Sequence, residues 1–216
     1  MARRTKEDAQ ATRQQLLQAA QRVFAEKGVS RTSLQDIAQA AGASRGAIYW
    51  HFKNKADLFN AMMEEAILPM EQAMQRMGHD PAQDPLVELE QALLQTLRDI
   101  ASNESTRTIF EIATLKVEYV DELLAVQVRH IQAYVDGTRE IYRSLQEAAV
   151  RRGLALPMPA EKAAHGLHAL IVGLIHSWML APQVFDLVEV SRSAVRTYLG
   201  GLGFKFGDAD VLVPIA

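Results

Sequence analysis

Apolar positions recur every three to four residues along nearly the whole chain, and that period predicts helices rather than strands. Leu16, Leu17, Ala20, Val23 and Phe24 form one such stripe, ended by Gly28, and predict a helix over about 6–27. Two short helices follow. Ser33 is a good N-cap, Asp36 three residues later has the spacing of a capping box, and Gly42 closes the helix. Ser44 opens the next, which reaches about His51. Asn54 and Asp57 repeat the capping-box spacing ahead of a long helix over about 55–77, in which Pro69 removes one backbone bond and predicts a bend. A loop at 79–85 precedes helical patterns over 86–101, 106–116, 120–151, 160–180 and 187–202. No strand pattern and no repeat of fixed length stands out. The expected fold class is all-α: about nine helices, an N-terminal three-helix head and a C-terminal helical bundle. The expected domains are 1–55, 56–205 and a tail over 206–216.

The joint at Gly42 has the spacing of a DNA-binding helix-turn-helix. Small Ala38, four residues earlier, lets the second helix cross the first closely. Gly42 can take the positive φ of a tight inter-helix turn. Ile37, Ile48 and Phe52 plug the core beneath. On a helical wheel Ile48 and Phe52 lie about 40° apart and face inward, while Gly46, Ala47 and Trp50 lie opposite. The small pair at 46 and 47 permits close approach to base edges in the major groove. Arg45, in the first turn, suits bidentate contact with guanine. Tyr49, Trp50 and His51 suit phosphates or thymine methyls. Ser33 and Ser44, at the two helix N-termini, complete the set with Lys55, which adds a cation where free N–H groups already favour phosphate. Arg3, Arg4 and Lys6 are candidates for the DNA backbone or minor groove. Helix pairs of the same spacing also occur in bundles that bind nothing.

Charge distribution favours the DNA reading. The net charge of the 216-residue chain is −3, yet residues 1–60 carry ten Lys and Arg against five Asp and Glu, a basic head on an acidic body. Cysteine is absent, which removes disulfides and thiolate chemistry and fits a cytoplasmic location. The polar N-terminus lacks the apolar core of a signal peptide. The longest apolar run, Ala163–Leu180, is interrupted by three histidines, and no membrane span or membrane partner is expected. There is no phosphate loop, zinc-protease motif or nucleophile elbow, so no enzyme and no cofactor are expected.

Five of the eight methionines fall between 62 and 77. Met63, Met70, Met74 and Met77 share one face with Ile67 beside them. Such a stripe is either plain core or an adaptable ligand surface. His165, His168, Val172 and His176 also share a face. As metal ligands the histidines are poorly spaced, with His165 and His176 about 16 Å apart along the axis. Two readings remain: satisfied polar groups in a core or subunit seam, or the polar lining of a mostly apolar pocket.

The run Thr32–Ala38, then Gly42, Ser44–Phe52 and Asn54–Leu58, closely resembles the TetR family of bacterial repressors. The opening Arg3–Ala9 and the length look like its multidrug-efflux branch. The motif match covers about residues 5–60. The resemblance implies a homodimer on a near-palindromic DNA operator, built on the last two helices. Leu167, Leu170, Leu174 and Trp178 would serve from one, Val195 and Tyr198 from the other. It also implies a pocket whose filling by a small hydrophobic or aromatic effector loosens DNA binding. His168 and His176, Phe110 and Thr114, and Leu93 and Thr96 are placed similarly to pocket-lining positions of that branch. A metabolic operon, such as fatty-acid or amino-acid catabolism, and a DNA-binding role without a ligand are the alternatives.

Overall fold

The computed structural model describes residues 6–75 and 83–206, with the backbone alone over 68–75. Among the described residues there are nine α-helices, one 3-10 turn and no strand. The helices are α1 (Lys6–Lys27), α2 (Leu34–Ala40), α3 (Arg45–His51), α4 (Lys55–Gln75), α5 (Pro85–Ser102), α6 (Glu104–Leu115), α7 (Leu124–Arg151), α8 (Ala160–Leu180) and α9 (Leu187–Gly201). The 3-10 turn, Asp121–Leu123, leads into α7. Two compact units result. One takes the chain up to Pro69 together with Glu104–Gln132; the other takes Met70–Asn103 together with the chain from Ala133.

In the first unit α1 packs on α2, α3 and α6. Leu16, Leu17, Phe24, Ile37, Ile48, Phe52, Leu58, Phe59, Ile112, Leu123 and Val126 belong to one buried cluster. This cluster runs straight across the domain boundary expected at 55/56. A two-turn α3 with two apolar anchors cannot close a core, so α4 and α6 supply the missing wall: the Phe59 ring, for example, lies 5.9 Å from that of Phe24. Met63, a candidate ligand contact, is buried in the same cluster, and Ile67 packs against it. Pro69, Met70, Met74 and Met77 fall outside the described side chains, as do Arg3, Arg4 and the tail from 207.

In the second unit α9 packs on α5 and α8. Arg196 grips buried Glu90 with two bonds, Nε to Oε1 at 2.6 Å and a terminal nitrogen to Oε2 at 3.1 Å, so both carboxylate oxygens are satisfied. Tyr198 donates its hydroxyl to the Ala163 carbonyl at 2.9 Å. A Cβ on Gly166 would lie 2.2 Å from that hydroxyl, so α8 needs a bare backbone there.

Three expectations change. Asn54 caps α4 by accepting from the Asp57 N–H at 2.8 Å, but Asp57 returns its bond to the Lys53 N–H, one residue earlier than a capping box requires. The seventh helix starts at Leu124, after the 3-10 turn, rather than at Val120. And α8 is, by length and composition, long and apolar enough to cross a membrane, because its aliphatic residues outweigh the three histidines. Its faces differ: His165, Ala169, Val172, Gly173, His176 and Ser177 are exposed, while Leu167, Ile171, Ile175, Trp178 and Met179 are buried in the second unit.

Candidate nucleic-acid interface

The turn between α2 and α3 is fixed by local hydrogen bonds. The Ala43 N–H bonds the Ala38 carbonyl at 2.9 Å and the Gly42 N–H bonds the Gln39 carbonyl at 3.1 Å, the paired bonds of a Schellman motif. Its left-handed residue is Gly42, at φ +64°. Ser33 caps α2: its Oγ accepts from the Asp36 N–H at 3.1 Å, and Asp36 accepts from the Ser33 N–H at 2.9 Å. The Ser33 hydroxyl, then its N–H, then Lys27 hold the Asp36 carboxyl down to about 2. Ser44 caps α3 through the Ala47 N–H at 3.2 Å.

With both ends of α3 set, Ile48 and Phe52 point inward and are almost wholly buried. The opposite face is open. Trp50 is 72% exposed and Tyr49 49%. Arg45 is exposed, and its guanidinium lies 5.7 Å from the centre of the Tyr49 ring. His51, half-buried, meets the Trp50 ring edge-on at 4.5 Å. Gly46 is exposed, and a Cβ there would meet nothing closer than the Ser44 Oγ at 3.9 Å. Packing within the chain does not demand a glycine at 46. A planar cation, two aromatic side chains and a bare backbone patch on one exposed helix face can reach base edges and phosphates together.

Lys55 departs from this set. Its side chain is buried, and its Nζ donates to the Ser30 carbonyl at 3.2 Å and the Thr32 carbonyl at 3.0 Å, and pairs with the Glu122 carboxylate at 3.0 Å. All three ammonium protons are committed inside the protein, so this side chain does not reach for a phosphate. The expectation failed because a helix N-terminus attracts anions through its backbone, whatever direction its first side chain takes. Lys53, two residues earlier, is an exposed cation at the same end of α4.

The candidate effector residues divide between the two units. In the first, Met63 is core, Phe110 half-buried and Thr114 exposed. In the second, Leu93 is buried, and Thr96 is half-buried with its hydroxyl turned back to the Ala92 carbonyl at 3.1 Å. His168 is half-buried against Tyr134, rings 4.7 Å apart and edge-on, while Val172 and His176 are exposed. Burial, then the charge of His165, pushes the His168 imidazole below its ordinary pKa. Tyr134 was not anticipated: its hydroxyl meets His165 Nδ1 at 2.5 Å, and no sequence signal links α7 to α8 across that distance. Among the described residues no group of His, Asp and Glu could hold a metal.

Of the expected interface side chains, Leu167, Trp178 and Val195 are buried within a single chain and have almost no surface left for a partner. Leu170, Leu174 and Tyr198 keep some, though the Tyr198 hydroxyl is spent on Ala163. A shallow groove of about 620 Å³ beside them is lined by Leu170, Val190, Ser193, Ala194, Thr197 and Tyr198, with Glu189 at its rim.

A polar-capped two-helix reader with an open basic and aromatic face defines a sequence-reading DNA-binding protein. Residues 16–62 match the family model of bacterial regulatory proteins of the tetR family, and residues 84–204 match the C-terminal region of MAATS-type transcriptional repressors. The chain is 38% identical over 199 residues to the transcriptional regulator TtgR of Pseudomonas putida, covering 92% of this chain and 95% of that one. The crystal structure of NalD, the secondary repressor of the MexAB-OprM multidrug efflux pump in Pseudomonas aeruginosa, superposes with a TM-score of 0.81 at 36% identity, over 91% of this chain and 98% of NalD. SmeT in complex with triclosan gives 0.80 at 29% identity, over 94% and 96%. The chain belongs to the TetR family and is a DNA-binding transcriptional regulator rather than an enzyme.

Proposed function

We propose that this protein represses a multidrug efflux operon from a near-palindromic operator and is released when a small hydrophobic or aromatic compound binds its C-terminal part. The observation that carries the reading is the open face of α3, where Arg45, Tyr49 and Trp50 surround the uncrowded backbone of Gly46. Ser33, Ser44, Ala47 and His51 support it as caps and flank. The efflux assignment rests on the kinship with NalD, and the effector class on the triclosan bound by SmeT.

The protein acts as a cytoplasmic homodimer in this reading. Its second copy covers the exposed ridge of Ala169, Gly173 and Ser177 on α8 and the groove beside α9, where small residues let two helix pairs approach closely. A two-fold pair sets two reading helices roughly one DNA turn, 34–36 Å, apart. Leu93, Thr96, His168, Val172 and His176, all in the second unit, are the effector contacts in this reading.

Selection of sheared genomic DNA by the purified protein in about 150 mM salt tests the proposal. Recovery of a palindromic site beside a transporter operon, released by triclosan, is the expected result. A site beside catabolic genes replaces the effector class, and no enriched site overturns the repressor reading. Light scattering that finds only monomer at micromolar concentration overturns the dimer.

A further inference from the structure

We infer that the ion pair of buried Lys55 with exposed Glu122 is a latch that positions the DNA-reading helices and makes their order depend on the start of α7. The inference rests on the repressor reading and gives it a regulatory joint. Three segments of the first unit meet at one ammonium. Lys55 is the first residue of α4; Ser30 and Thr32 lie in the turn before α2; Glu122 lies in the 3-10 turn that opens into α7. The Nζ makes one bond to each of the two carbonyls and one to the carboxylate, at 3.2, 3.0 and 3.0 Å. The two carbonyls lie just before the Ser33 cap, so the turn that the ammonium holds is the turn from which α2 starts.

The arrangement is asymmetric. Lys55 is 5% exposed in its side chain, Glu122 56%. A buried ammonium without its counter-charge is strongly disfavoured, whereas an exposed carboxylate released into water is not. Withdrawal of Glu122 therefore costs the Lys55 side more than the Glu122 side, and the strain falls on the Ser30–Ser33 turn. A second tie moves with it: Asn60 Nδ2 donates to the Ala125 carbonyl, in the first turn of α7, at 3.4 Å. Helix α7 begins in the first unit and ends in the second. A shift of its first turn is thus felt at Lys55 without any contact between effector and DNA-reading residues. Two ties on one helix start give the DNA-reading head a joint that a shift of α7 can bias.

Two variants of the full chain test this, Glu122→Gln and Lys55→Met, with two readouts. Amide hydrogen exchange needs no operator. Both variants are expected to speed exchange at Asp36 and Ile37 about tenfold, with α1 amides unchanged. On the selected operator, both are expected to weaken binding five- to tenfold while leaving the slope of log affinity against log salt as in wild type. A Lys55→Met slope shallower by about 0.9, with Glu122→Gln at wild-type affinity, means that Lys55 neutralises a phosphate and overturns the latch. Wild-type exchange in Glu122→Gln overturns it as well. If wild type itself selects no operator, the repressor reading fails while the exchange result still decides the latch.

Discussion

The α2–α3 pair and the α8–α9 pair are both helices packed at close range, but they are built in opposite ways. The ends of the first are set by local bonds: the Ser33 and Ser44 caps act over three residues and the Gly42 turn over five. The second is tied by partners far apart in sequence, Tyr198 to Ala163 across 35 residues and Arg196 to Glu90 across 106. The first holds its shape with a single wholly inward side chain on a two-turn α3, Ile48, and leaves the rest of that helix to solvent. The second buries seven side chains of α8 and leaves small residues outside. A reading head can be short because its neighbours set its ends; a platform has to be long because only packing area holds it.

The sharpest way to break this comparison is to remove equal volumes from both. Ile48 and Leu167 are each fully buried. Either change to Ala costs about 2–5 kcal/mol from lost transfer energy and the cavity left behind. Ile48→Ala is expected to melt α3 and abolish specific DNA binding. Leu167→Ala is expected to lower the thermal midpoint while the remaining folded protein still binds DNA. Loss of operator binding in both, measured well below their melting points, defeats the distinction.

Next in size is Gly166→Ala. The added Cβ meets the Tyr198 hydroxyl at 2.2 Å and its ring carbon at 3.1 Å, so α8 and α9 have to separate or Tyr198 has to swing out. Overpacking of this kind costs about 1–3 kcal/mol. Calorimetry should show the loss, and Tyr198→Leu in the same chain should recover part of it. An unchanged midpoint for Gly166→Ala means that the crossing is looser than the packing implies.

The contrast also explains what could be read from the sequence. Nine helices, the caps at Ser33 and Ser44, the turn at Gly42 and the inward pair Ile48 and Phe52 all follow from residues within a few positions of one another. The reach of the Lys55 side chain does not. Its partners are 25 residues back and 67 residues ahead, and nothing near Lys55 announces them. Tyr134 under His165 and His168 escaped for the same reason. Leu167, Trp178 and Val195 were given to a partner because apolar residues on a terminal helix satisfy a core and an interface equally well; only burial separates the two. The buried cluster spans residues on both sides of 55/56, and helix periodicity does not say how many helices close one core.

Arg45→Ala acts on the reading face without touching the fold, since the side chain is exposed and packs only along Tyr49. It is expected to lower specific affinity by about 1–3 kcal/mol and relax preference at one base pair of each half-site. A competition series over single-base operator variants measures both. A uniform loss at every variant would move Arg45 from base to phosphate.

The smallest effect belongs to the α2 cap. The Asp36 carboxyl sits at about 2 in the folded chain against an ordinary 3.8, chiefly through the Ser33 hydroxyl and N–H, with Lys27 helping. The folded state therefore binds this proton less readily than the unfolded one. The ionised cap stabilises fully above 3.8, and its contribution disappears as the pH falls toward 2. Asp36→Asn removes the titration but keeps a hydrogen-bonding side chain. The gap in thermal midpoint between wild type and Asp36→Asn should be constant above about pH 5 and close between there and pH 2. Because Asp36 is solvent-facing, the gap should be small and should shrink further in high salt where Lys27 is screened. A gap that persists undiminished at pH 2 would mean that the cap works through geometry alone, and that charge at the start of α2 plays no part in presenting α3.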